Sequence, residues 1–167
     1  MKYISVNDLN TFAFHDTGIR DIILSDSEMV WSVVALNAMT ENPHNEHKKD
    51  MCIEKAVITF KDFCVESLVF GAYERYGSDR KLIEAVDAVA AEPEEYAGIL
   101  TVKPGDYYII LAKMEFAQKH NGTYSVCFEN DCIAGNYFLE LSFSEVIIEW
   151  EEYSGEAWYE DPKWKKK

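Results

Sequence analysis

The chain has 167 residues, which suits one domain, and its 48% apolar and 14% aromatic residues can fill a core without metal or disulfide cross-links. Its net charge of −14 excludes nucleic-acid binding through a broad phosphate-neutralising surface, which needs clustered Lys and Arg. Apolar and aromatic residues recur from end to end, which excludes a disordered chain.

The opening residues MKYISVNDLN lack the apolar core of a signal peptide, and no apolar run reaches the roughly 18 residues of a membrane span. A cytoplasmic location is therefore expected. Cys52, Cys64, Cys127 and Cys132 are then expected to be reduced thiols. Next come Phe12 and Phe14, which anchor the entry to a turn at Asp16-Thr17-Gly18. Ile19–Leu24 and Met29–Leu36 read as two strands joined by a hairpin at 25–28. Thr40–Asp50 is a loop by composition, and two further strands follow at Ile53–Phe60 and Phe63–Phe70.

Leu82, Ile83, Val86, Val89 and Ala90 fall at helical spacing, with Ser78 as a cap and Pro93 as a stop. They predict one helix near 79–91. Lys103–Asp106 predicts a type II turn, and Asn121-Gly122 a hairpin between Tyr107–Phe116 and Thr123–Glu129. Asn121-Gly122-Thr123 also matches a glycosylation sequon but reads as that turn. Gly135-Asn136 predicts another turn, followed by alternating Tyr137, Leu139, Leu141 and Phe143 and a last strand at Glu145–Trp150.

Residues 58–66 (ITFKDFCVE) echo residues 141–149 (LSFSEVIIE). In each, a strand ends in Phe, a polar residue and an acid intervene, and a second strand begins. Such segments suggest two corners of equivalent geometry. About nine mostly antiparallel strands and one inserted helix predict a mainly β two-layer sandwich spanning residues 1–161, with a β-barrel as the alternative. Lys163 and Lys165–Lys167 close the chain and read as a solvated basic tail at 162–167.

His15 and Asp16 could act as a base and its orienting carboxylate, but neighbours on a strand point to opposite faces, so a turn role is the stronger reading. His44 and His47 are spaced as His-x-x-His and Cys127 and Cys132 as Cys-x-x-x-x-Cys; neither has the paired spacing of a zinc finger. Asp26 and Glu28, and Glu129, Asn130 and Asp131, place oxygens in loops without the pattern of a calcium loop. No metal site, cofactor or catalytic residue is assigned. Six acidic residues lie within 149–161, interleaved with Trp150, Tyr153, Trp158 and Tyr159, and Glu145 lies just upstream. Trp150 is assigned to the core. Glu151, Glu152, Glu156, Trp158 and Tyr159 are the candidate binding residues for a basic protein partner, with the core as the competing place for Trp158 and Tyr159.

The Phe14-His15-Asp16 start, and the ending EWEEYSGEAWYE, resemble a loose group of uncharacterised small bacterial β-rich proteins, some near polymorphic-toxin immunity genes. The resemblance implies a fold, and it suggests an immunity or toxin-neutralising role. The expected function is a non-enzymatic protein-interaction module. A calcium- or lipid-binding sandwich is one alternative, and an enzyme using His15 and Asp16 is another.

Overall fold

A computed structural model describes residues 1–101, 109–118, 124–132 and 135–164, with 109–118, 124–132, 135 and 136 as backbone alone. The strands are β1 (Tyr3–Val6), β2 (Phe12–Ala13), β3 (Thr17–Leu24), β4 (Glu28–Val34), β5 (Leu36–Ala38), β6 (Met51–Ile53), β7 (Ala56–Lys61) and β8 (Cys64–Phe70). They continue as β9 (Tyr73–Tyr76), β10 (Leu82–Val86), β11 (Val89–Ala90), β12 (Ile109–Gln118), β13 (Tyr124–Cys132), β14 (Gly135–Phe143), β15 (Glu145–Trp150) and β16 (Gly155–Glu156). The architecture is mainly β and antiparallel, as expected, and among the described residues it has one short helix and no closed barrel.

More strands form than the apolar runs suggest, because single runs bend and change sheets. β4 pairs with β7 from Glu28↔Lys61 to Val33↔Ala56, and β5 pairs with β6 in the same register at Leu36↔Ile53 and Ala38↔Met51. One long hairpin therefore turns a corner, with Ala35 at φ 57° on its outer limb. A second corner explains the sequence echo. β15 pairs with β7 at Glu145↔Lys61, and β14 with β8 at Ser142↔Cys64, again without a change of register. The two echoed segments are partners in one bent ladder. Asp62 takes φ 48° there, Ser144 N–H donates to the Lys61 carbonyl at 3.0 Å, and the Ser144 hydroxyl donates to Asp62 Oδ2 at 2.6 Å. Inside the bend the rings of the echoed Phe60 and Phe143 meet edge to face at 5.1 Å.

The result is a ten-stranded sheet, β1-β15-β7-β4-β3-β12-β13-β14-β8-β11, and a four-stranded sheet, β16-β6-β5-β2. Alternation along β4, β7 and β15 sends Trp31, Ile58, Phe60, Ile148 and Trp150 into one core shared with Leu68, Leu139 and Phe143. The opposite faces of β4, β7 and β15 are only half-buried.

The helix expected near 79–91 is not there. Leu82–Val86 forms β10, paired with β9 as a separate hairpin, and Val89–Ala90 forms β11 on the edge of β8. An apolar helical stripe needs a core to cover, and this segment projects with Tyr73, Tyr76, Leu82 and Ile83 exposed. With that tertiary gain absent, β-branched Ile83, Val86 and Val89 favour the extended chain. A tight turn closes the hairpin: Arg80 (φ 60°) donates its N–H to the Gly77 carbonyl at 2.9 Å. Pro93, read as a stop, instead opens a turn at Pro93–Glu95 that runs into helix α1 (Tyr96–Leu100). Gly135 and Asn136, expected as a turn, belong to β14, with Gly135 paired to Cys132. The turns expected at Lys103–Asp106 and His120–Thr123 lie outside the described residues. Among the described residues no helix is long and apolar enough to cross a membrane.

Candidate functional site

The acidic segment begins where β15 ends. Trp150 is fully buried, stacked on Tyr3 at 5.2 Å and edge-on to Phe12 at 5.6 Å, as its core assignment required. Glu151 and Glu152 then turn outward and are exposed, with Glu151 Oε2 3.6 Å from the Met1 amino group. Tyr153 folds back. Its hydroxyl donates to the His44 carbonyl at 3.0 Å, and burial pushes its pKa up to about 12. Ser154 N–H bonds the Cys52 carbonyl, Gly155 and Glu156 pair with Cys52 and Met51, and Ala157 N–H bonds the Asp50 carbonyl. These contacts tie the segment to the edge of the four-stranded sheet.

The next two residues separate the two expected aromatic anchors. Tyr159 points inward, its hydroxyl 2.9 Å from Asp50 Oδ2, and burial together with that carboxylate raises its pKa. Trp158 points outward and is 47% exposed. It meets Trp164, itself 57% exposed, edge to face at 6.0 Å, and the ring of His15 lies 6.3 Å from it. A shallow cleft of about 450 Å³ runs between Trp158 and Trp164, bordered by Glu156, Asp161 and Lys163. Glu156 is held by Lys49 at 2.5 Å, and Asp161 by Lys163 at 2.9 Å. The Lys49 ammonium is stabilised above its usual pKa by the hydrogen bond to Glu156. Of the expected steering charges, Glu151 and Glu152 therefore face solvent, while Glu156 is shielded by a cation.

His15 and Asp16 occupy the centre of a turn closed by Thr17 N–H to the Phe14 carbonyl at 2.9 Å, with Asp16 at φ 65°. The turn sits one residue earlier than expected, and Gly18 is already in β3. Because the pair is on a turn and not a strand, His15 Nε2 approaches Asp16 Oδ2 to 3.4 Å, contrary to the expectation of opposed faces. Both side chains are exposed on the surface that also carries Trp158. Spacing along the chain could not bring these two candidates together; pairing of β2 with β5 and of β16 with β6 does so.

His44 and His47 have separate tasks. His44 Nε2 lies 2.7 Å from the Ile4 carbonyl and its ring packs on Trp150, while His47 packs edge-on to Tyr153. The loop carrying them is organised by buried asparagines: Asn45 donates to the carbonyls of Ala38, Met39 and Lys49, and Asn42 to Thr11 Oγ1. Among the described residues no three His, Cys, Asp or Glu side chains converge as a metal-binding group. Trp164 and Lys49 complete this surface and were not singled out by sequence, and Lys163, read as part of a solvated tail, borders the cleft and pairs with Asp161. The available signal was Trp164, six positions after Trp158 and beside the lysines read as a tail. The chain matches no family model, no curated protein and no solved structure.

Proposed function

We propose that this protein is an interaction module that receives a basic protein partner on the surface formed by Trp158, Trp164 and His15, with the exposed carboxylates of Glu151 and Glu152 contributing to steering. One observation supports the reading: two tryptophans lie about half in water, edge to face, in a chain that buries Trp31 and Trp150 completely. Tryptophan is the residue most enriched in interface hot spots, and exposed carboxylates on a chain of net charge −14 attract a cationic partner. An immunity or toxin-neutralising role is the concrete form suggested by the resemblance of the two chain ends, which here lie side by side.

The test uses the protein encoded beside this chain's gene, with binding kinetics and thermal midpoint read on the same preparations. Trp158→Ala should raise the off-rate at least tenfold per folded molecule, and the double change Glu151→Gln and Glu152→Gln should lower the on-rate. A folded Trp158→Ala protein that binds like the wild type would refute the reading.

A further inference from the structure

The outward face of the half-sheet β1-β15-β7-β4-β3 carries a second surface. Cross-strand register aligns Val6, Ile147, Thr59, Val30 and Ile23 in one row across all five strands. Val6 and Ile23, at its two ends, are 43% and 57% exposed. The adjacent row is Ile4, Glu149, Val57, Ser32 and Asp21, so the face mixes β-branched aliphatic side chains with charged and polar ones. Exposed Ile4, Val6 and Ile23 at the two edges of this face, joined by half-buried Ile147 and Val30, make it a candidate interaction surface.

Charge selects the occupant. The chain carries −14, yet this face is nearly balanced: Asp21, Glu28, Glu54, Glu145 and Glu149 face Arg20, Lys55, Lys61 and the Met1 amino group, which itself lies 3.6 Å from Glu151. Self-repulsion is therefore small here. The charges are also segregated along the strands. Glu28 and Glu145 sit at one end, flanking Lys61. Arg20, Lys55 and Met1 sit at the other, around a hollow of about 390 Å³ lined also by Val34, Val57 and Glu54. A two-fold axis lying in the interface and crossing the strands lays the acidic end of one copy on the basic end of the next. That is the self-complementarity an isologous contact needs.

Strand addition at β1 is disfavoured, because the Ile4 carbonyl already engages His44 Nε2 at 2.7 Å. Five strands spaced ~4.8 Å and four side-chain rows ~6.8 Å apart give a face of ~600 Å² per copy, the low end of what specific dimers bury. We infer that this open face is a homodimer interface, two copies packing sheet on sheet with micromolar affinity.

Sedimentation equilibrium on the full chain, up to ~200 μM where such an affinity is populated, tests this. A monomer–dimer equilibrium is expected, and it should strengthen as salt screens the remaining repulsion. Binding of the basic partner should weaken under the same change, so the two interactions are separable. Ile23→Lys and Val6→Lys alter exposed side chains and leave the fold intact. Each should weaken dimerisation at least tenfold while leaving partner binding unchanged. A chain that stays monomeric at every concentration and salt level overturns the inference. So does a dimer indifferent to both substitutions.

Discussion

Tyr153 is the latch whose effect can be worked out most fully. Its hydroxyl hydrogen bond to the His44 carbonyl holds the acidic segment against the 40–50 loop, and Tyr153→Phe keeps the ring while removing that bond. Near pH 8 the substitution should cost about 1 kcal/mol, the net worth of a neutral hydrogen bond. The cost should fall with alkali. In the folded chain the phenol titrates near 12, raised first by burial, against an ordinary value of 10.0. A raised pKa means the folded state holds its proton more tightly. The stabilisation is complete below pH 10 and is lost as pH climbs from 10 towards 12. Each pH unit in that window removes up to ~1.4 kcal/mol, an upper bound for a half-buried ring. Near pH 11 the tyrosine's advantage over phenylalanine should therefore vanish, since ~1 kcal/mol gained is offset by ~1.4 kcal/mol lost. Urea midpoints of both proteins at the two pH values measure this, and phenolate absorbance gives the titration directly. Tyr159 is present in both proteins, so its own contribution cancels. A Tyr153→Phe penalty of the same size at both pH values would refute the reasoning.

Three further outcomes are expected. Trp150→Ala should cost about 3–5 kcal/mol in denaturant unfolding, because the fully buried indole leaves a cavity between Tyr3 and Phe12, whereas the loss at half-exposed Trp158→Ala should be distinctly smaller. Ala35→Gly should raise the urea midpoint, by at most about 1 kcal/mol after glycine's own entropic cost, because φ 57° at the β4–β5 corner burdens any residue with a Cβ; Ala35→Val should lower it. Glu151→Gln with Glu152→Gln should flatten the salt dependence of the partner's on-rate, read by stopped-flow, while Glu156→Gln should change it less because Lys49 already shields that carboxylate.

The sequence by itself determined which residues are apolar and how they alternate, and for a sheet protein that carries most of the fold. Apolar runs at Met29–Leu36, Ile53–Phe60 and Glu145–Trp150 marked strands, and alternation of Tyr137, Leu139, Leu141 and Phe143 marked a buried face, because a side chain's face on a strand follows from its parity alone. The echo of 58–66 in 141–149 even marked a corner. That the two segments pair with each other was beyond reach, since pairing depends on contacts about eighty residues apart. Residues 79–91 were misread for a related reason: spacing of five apolar side chains cannot say whether a core stands nearby to cover them. Only the tertiary structure decided the roles of the acidic segment. Trp158 and Tyr159 are adjacent and chemically alike, but Asp50 offers the tyrosine a half-buried hydrogen-bond partner, while the tryptophan stays half-exposed beside His15 and Trp164. Those neighbours come from distant parts of the chain, so no local pattern records them.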